Sequence, residues 1–223
     1  NPVIDSQRNI YTAAEMGPLV VHRADGSLRG SIQLGHHLTT PTIRGTTLYA
    51  ANSDAYAFAL DIETLAVKWS SRYAQLSSGD SWMVAVSGRI MIVGGIITRP
   101  PTVPHPVLDP HGHGLPATWW LGGDVGGQWY VFGLDPQTGQ CRWVFAPDWM
   151  VYNLNPTVLD CGEHEFAIIM DNVGGYYSLE TTTGAVAWKW RQDDRAFGVT
   201  FHDICGVSMG PNCMFYAGYQ DPT

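Results

Sequence analysis

The residue types in this sequence best suited to chemistry gather between positions 96 and 128, in the stretch IITRPPTVPHPVLDPHGHGLPATWWLGGDVGG. His105, Asp109, His111 and His113 are side chains that ligate zinc or another transition metal. His111 and His113 are two apart, a spacing that puts both imidazoles on one side of an extended segment. The flanking Gly and Pro residues predict an irregular loop, and the reading leans to histidines facing solvent. The same stretch carries Leu115, Trp119, Trp120 and Leu121. Aromatic anchors on a proline-stiffened loop are the kind of side chain that dominates protein interfaces. The competing reading folds the loop over its own domain with both tryptophans buried.

No nucleophile–histidine–acid order, P-loop or dinucleotide fingerprint is present. GGDVGG at 122–127 is rich in Gly but lacks the phosphate-binding spacing and a following helix. His36 and His37 fall in a connection, where a structural or solvent-facing role outweighs a functional one. The cysteines Cys141, Cys161, Cys205 and Cys213 contain no C-x-x-C pair. Buried free thiols are the plain reading. Cys205 and Cys213 can also pair across a hairpin in an oxidising compartment.

The elements that would position these residues follow from self-similarity along the chain. ALDIETLAVKW (59–69), GLDPQTGQCRW (133–143) and SLETTTGAVAW (178–188) superpose without gaps. Each has an acid (Asp61, Asp135, Glu180), a Thr three residues later (Thr64, Thr138, Thr183) and a Trp eight after the acid (Trp69, Trp143, Trp188). Gly follows the Thr twice, and Leu65 takes its place once. A weaker copy, VVHRADGSLRG (20–30), puts Gly26 in the Gly slot and lacks the acid and the Trp. The spacing predicts a hairpin: the carboxylate accepts turn amides, Thr-Gly supplies a side-chain bond and a positive φ, and the Trp begins the return strand. A large aromatic recurring at one place reads as a side chain docking one sheet onto the next, because a single sheet cannot bury its own face.

Upstream of each hairpin lies another pair of strands. In the first repeat these are Pro2 to Asp5 and Ile10 to Ala14, followed by Leu19 to His22 and Leu28 to Ile32. The plan recurs from Pro41, with turns at Gly45 and Asn52 to Asp54, and from Pro156, with turns at Cys161-Gly162 and Asn172 to Gly175. Hairpin positions 22, 61, 135 and 180 are 39, 74 and 45 apart, so the third repeat is interrupted. Its first two strands end at Gly95 and its last two begin at Trp129, leaving about 33 residues between. After 199 the chain supplies two more strands. The blades are expected at about 1–34, 41–73, 81–146 with the insertion at about 96–128, 156–191, and an incomplete 199–223.

The pattern A-x-D-x-x-T-G-x-x-x-W resembles the tryptophan-docking repeat of the PQQ-like, quinoprotein dehydrogenase-like β-propeller superfamily. The resemblance implies an all-β propeller of four-stranded blades, here four and half of a fifth, in a single domain. It also implies one of two functions. Members similar to the bacterial outer-membrane assembly lipoprotein use the repeats as a non-catalytic platform for protein contacts. Quinoprotein alcohol and sugar dehydrogenases instead hold PQQ and a calcium-type ion on the axis, with an Asp base and often an adjacent Cys-Cys pair. This sequence has no Cys-Cys and no matched ligand motif. The expectation is therefore a scaffold subunit of a larger assembly with no cofactor, and the alternative a PQQ-dependent dehydrogenase fragment.

A formal charge of −8 with two lysines, Lys68 and Lys189, leaves no basic footprint for nucleic acid or an anionic membrane surface. The apolar stretch Trp82 to Thr98 is broken by Ser87, Gly88 and Arg89 and is short for a bilayer. No transmembrane segment is expected, although association with a membrane complex is compatible with the composition. No signal peptide is visible, and an initial Asn1 suggests a processed or partly represented chain. The acidic balance favours a periplasmic, lumenal or extracellular location over a cytoplasmic one. Other protein subunits are the expected partners.

Overall fold

The computed structural model describes residues 2–13, 17–77, 83–97, 128–148, 151, 155–171, 174–191 and 207–216. Every regular element among them is a strand. The first sheet is β1 (Val3–Ile4), β2 (Ile10–Ala13), β3 (Leu19–His22) and β4 (Leu28–Ile32), and the second is β5 (Thr42–Arg44), β6 (Thr47–Ala51), β7 (Tyr56–Asp61) and β8 (Val67–Arg72). The third holds β10 (Ala85–Val86), β11 (Met91–Ile97), β12 (Gln128–Leu134) and β13 (Cys141–Phe145), with the short β9 (Leu76–Ser77) paired to the far end of β11. The fourth is β14 (Thr157–Cys161), β15 (His164–Met170), β16 (Gly175–Glu180) and β17 (Val186–Arg191), and β18 (Ser208–Met209) pairs β19 (Phe215–Tyr216) in a fifth. Apart from β9, each sheet is an antiparallel meander in chain order, the architecture of propeller blades.

Period-two alternation explains how such apolar strands form a stack. Leu48 and Ala50 of β6, with Phe58 and Leu60 of β7, face Tyr11, Leu19 and Val21 of the first sheet. Their alternates Tyr49, Ala51, Ala57 and Ala59 face Met91, Val93, Phe132 and Leu134 of the third. The third sheet divides again, sending Ile92, Ile96 and Val131 to meet Ala167, Ile169 and Leu179 of the fourth. Middle strands are thus covered on both faces, and their sequences read as continuous apolar runs rather than as clean alternation.

The first strands stand side by side in the order β1, β5, β10, β14, β18. Thr40 bridges Met83 in parallel, and Thr42 Oγ1 donates to Val84 O at 2.5 Å. Thr157 Oγ1 donates to Val207 O at 3.2 Å in the same way at the fourth junction. Because these strands run parallel, the turns after them all lie on one side of the array, together with the Thr-Gly hairpins. The opposite side carries the end of the third sheet where Ile97 and Gln128 pair directly.

Several expectations need correcting. The tryptophans do not begin the return strands: β8, β13 and β17 start two residues earlier, at Val67, Cys141 and Val186. β11 runs two residues past Gly95 and β12 starts one before Trp129, because the pair zips onward to Ile97 and Gln128. The first hairpin is one residue shorter than the others. Arg23 N donates to Ser27 O, whereas Asp61 reaches Ala66, Asp135 reaches Gln140 and Glu180 reaches Ala185. Arg23, not His22, therefore stands where the acids stand, and the ungapped placement of Gly26 fails.

Cys213 pairs with Cys161 and not with Cys205, which lies outside the described residues; the Cα atoms of the pair are 5.5 Å apart. Sequence proximity misleads because the inner turns of the fourth and fifth sheets, 52 residues apart, are brought together by the stacking of β14 and β18. Cys141 is a free thiol on an exposed residue rather than a buried one. Its Sγ donates to Trp143 O, and desolvation of the sulfur pushes its pKa up to about 11. Thiol labelling of the unfolded, unreduced protein should modify Cys141 and spare Cys161 and Cys213. Cys213→Ser should lower stability by about 2–4 kcal/mol in denaturant titration.

Candidate functional site

The repeated hairpin is the most fully built polar element. Asp61 Oδ1 accepts from Glu63 N at 3.1 Å and Thr64 N at 3.0 Å, and Asp135 Oδ1 accepts from Gln137 N at 2.7 Å and Thr138 N at 3.1 Å. Thr138 Oγ1 then accepts from Gln140 N, and Thr183 Oγ1 from Ala185 N. The longer Glu180 meets its Thr183 hydroxyl at 3.4 Å. Gly139 and Gly184 hold φ of 72° and 71°, and Leu65 is held at 59° in the same place. Lys68 pairs with Asp61 at 3.5 Å, and Arg142 pairs with Asp135.

These turns receive the indole of the preceding sheet. Trp69 Nε1 donates to Pro136 O at 3.1 Å, and its ring lies over Gly139, where an added Cβ would come within 2.6 Å. Trp143 Nε1 donates to Thr181 O at 2.8 Å and covers Gly184 in the same way. Trp143 is also sandwiched from its own sheet by Gly133, where a Cβ would sit 2.1 Å from the ring. The residues opposite the tryptophans, Ala59, Gly133 and Ser178, are accordingly small. Trp188 differs: it is 40% exposed and stacks on Phe215, with centroids 5.6 Å apart.

The first junction inverts this arrangement. Gly30 occupies the Trp position opposite the larger Val21, and Leu65 occupies the Gly position and fills the vacated space, 3.2 Å from a Cβ placed on Gly30. The carbonyl that an indole would reach, Ile62 O, is served instead by Arg29 Nη1 at 2.8 Å and by Tyr11 OH at 3.2 Å. Arg29 Nη2 also donates to Glu63 O.

Two buried tyrosine–carboxylate pairs were missed by the sequence reading. Asp5 accepts from Gln7 N, Asn9 N, Asn9 Nδ2 and Tyr11 OH. Asp171 accepts from Gly175 N and from Tyr177 OH at 2.7 Å, and Tyr177 OH in turn accepts from Asp148 N. The available signal was the shared spacing of six, DSQRNIY and DNVGGYY. Burial, reinforced by Asp5, pushes the Tyr11 hydroxyl up to about 12, and burial beside Asp171 raises Tyr177 as well. Both phenols stay protonated donors at neutral pH. A further tie crosses sheets, from Ser87 Oγ to Glu165 Oε1 at 2.6 Å.

His105, Asp109, His111, His113, Leu115, Trp119 and Trp120 all lie outside the described residues. Among the described residues no three His, Cys, Asp or Glu side chains converge as a metal ligand set. No helix among them is long and apolar enough to cross a membrane.

Neither a protein-family model nor a curated protein sequence matches the chain. Solved structures do. BamB from Moraxella catarrhalis superposes with a TM-score of 0.57 and 18% identity over 86% of this chain and 48% of BamB. The quinohemoprotein alcohol dehydrogenase ADHIIG from Pseudomonas putida HK5 gives 0.56 and 12% over 85% of this chain and 33% of that enzyme. The chain thus spans half or less of the length of either protein.

Three predictions come from this geometry. Trp143→Ala should cost about 3–5 kcal/mol. Gly30→Trp and Leu65→Gly should each destabilise, yet combine with a coupling of about 0.5–3 kcal/mol that restores the usual Trp-on-Gly junction. An additive double-mutant cycle would rule out the complementarity. The third prediction concerns acid. For Asp5, burial is outweighed by bonds from Asn9, Tyr11 and Gln7; for Asp135, by Arg142 and the turn amides; Asp61 is held down by Thr64; all three lie below the ordinary carboxylate value. A depressed folded-state pKa stabilises fully above the unfolded value and is lost as pH falls through the folded one. Stability should be flat near neutrality and fall below about pH 4, less steeply in Asp5→Asn, as followed by denaturant midpoints against pH.

Proposed function

Because the chain has the PQQ-like β-propeller fold, we propose that it works as a non-catalytic scaffold, a subunit that makes protein contacts within a larger assembly outside the cytoplasm. The observation that carries the proposal is where the polar and aromatic groups of the repeat are spent. Asp61 and Asp135 are engaged with their own turns and with Lys68 and Arg142, and Trp69 and Trp143 with the turn of the next sheet. In this reading Trp69, Trp143 and Trp188, with Asp61, Asp135 and Glu180, are docking and turn residues that stiffen a platform. A stiff array with variable loops suits recognition. The segment between Ile97 and Gln128, with Leu115, Trp119 and Trp120, is proposed as one contact surface.

The Cys161–Cys213 disulfide supports an oxidising compartment such as the periplasm, a lumen or the extracellular space. The fold likeness to BamB is compatible with the scaffold reading. The similar fold likeness to a quinohemoprotein alcohol dehydrogenase is equally compatible with the second reading, a fragment of a quinone-dependent enzyme.

Native mass spectrometry of the gently purified endogenous protein separates the two. The scaffold reading expects partner chains and no quinone mass, with partners lost in a Trp119→Ala/Trp120→Ala variant. A single longer chain carrying quinone and a divalent ion, and reducing an artificial electron acceptor, would establish the enzyme reading.

A further inference from the structure

We infer that the side of the array bearing the inner turns presents an arginine arc that binds an acidic, carboxylate-rich segment of a partner protein. The inference deepens the scaffold reading and rests on it. Each of the first three sheets puts one arginine at the turn joining its first two strands: Arg8 between β1 and β2, Arg44 at the end of β5, and Arg89 between β10 and β11. All three residues are exposed. Since the first strands run parallel and adjacent, the three turns are neighbours on one side. Arg44 confirms the proximity, because its guanidinium lies over Gly88, beside Arg89, where an added Cβ would meet it at 2.7 Å.

The other basic side chains on this side are already spent. Lys68 pairs with Asp61, Arg142 with Asp135, and Arg29 is turned onto the Ile62 and Glu63 carbonyls. Arg23 is bonded within its own turn to Ser27 and Leu28. Two acids on this side are engaged as well: Asp5 accepts four bonds from Gln7, Asn9 and Tyr11, and Glu165 is held by Ser87. Arg8, Arg44 and Arg89 have no carboxylate partner among the described residues. The fourth sheet carries Asp160 and Glu163 at the matching turn, which bounds the arc.

Arg8 supplies an independent sign that its side chain matters. It sits at φ 64°, a left-handed conformation that Gly45 and Gly162 occupy at the matching turns, with φ of 57° and 80°. Glycine is the unstrained choice there, so an arginine is held at the expense of local backbone preference. In a chain with a formal charge of −8, three guanidinium groups on neighbouring turns, without a carboxylate partner among the described residues, form a local field of opposite sign. Guanidinium groups match carboxylates in a bidentate fashion.

The test uses a labelled decaglutamate peptide as probe, with fluorescence anisotropy at about 50 mM and about 300 mM salt. The intact chain should bind it, more weakly at high salt. Arg44→Glu/Arg89→Glu should lose at least about tenfold in affinity, while the charge-matched Arg23→Glu/Arg72→Glu should not. Arg8→Gly should bind more weakly while unfolding at higher denaturant, a divergence that a purely structural arginine would not give. Unchanged binding in Arg44→Glu/Arg89→Glu, equal loss in the charge-matched variant, or no binding by the intact chain would each overturn the arc. The scaffold reading would survive any of these results, since it is judged by partner chains co-purifying with the native protein.

Discussion

The structure depends on one contact, the indole of one sheet seated on the Thr-Gly turn of the next. A four-stranded meander has two apolar faces and no means of covering either alone. The indole covers area at the periphery and, through Nε1, satisfies a carbonyl that the turn leaves outside its own hydrogen bonding. The carboxylate and threonine of that turn fix the backbone so that this carbonyl and a bare glycine face the incoming ring. Sequence, turn and packing are thus parts of one device, repeated at the second and third junctions.

The inverted first junction shows what the device conserves. Residue identity changes at Val21, Gly30 and Leu65, yet the space between sheets is still filled and the Ile62 carbonyl is still met, by Arg29 and Tyr11. Leu65 accepts a left-handed φ, costing roughly 1–2 kcal/mol, to put side-chain volume where a glycine would leave a gap. The constraints at a junction are therefore volume and one satisfied carbonyl.

Most of the fold was legible because its signals are local. Acid, Thr, Gly and Trp at fixed offsets specify a hairpin without reference to the rest of the chain, and β3 and β4 fall where the alternation puts them. Features that join distant residues were not legible. The Cys161–Cys213 pair depends on two inner turns meeting across a stack, and the Gly30–Leu65 exchange looks like decay of the repeat until the two are seen in contact. The one-residue contraction of the first hairpin was hidden because Gly26 sits close enough to the expected slot to be mistaken for it.

Function is harder to read than fold here for a physical reason. The repeated side chains are those whose bonds are closed within the array, so repetition itself marks them as structural. Recognition must come from what varies between repeats and remains unsatisfied. Two features vary between the repeats: the length of sequence between the second and third strands, long between Ile97 and Gln128, and the guanidinium groups of Arg8, Arg44 and Arg89, placed at turns that the fourth sheet builds from Gly162 and Glu163. The described ends of that connection, Ile97 and Gln128, and the arginine turns lie at opposite ends of the strands. Under the scaffold proposal, the indole-locked sheets hold the arginine turns at a fixed distance from the Ile97 and Gln128 end of the third sheet.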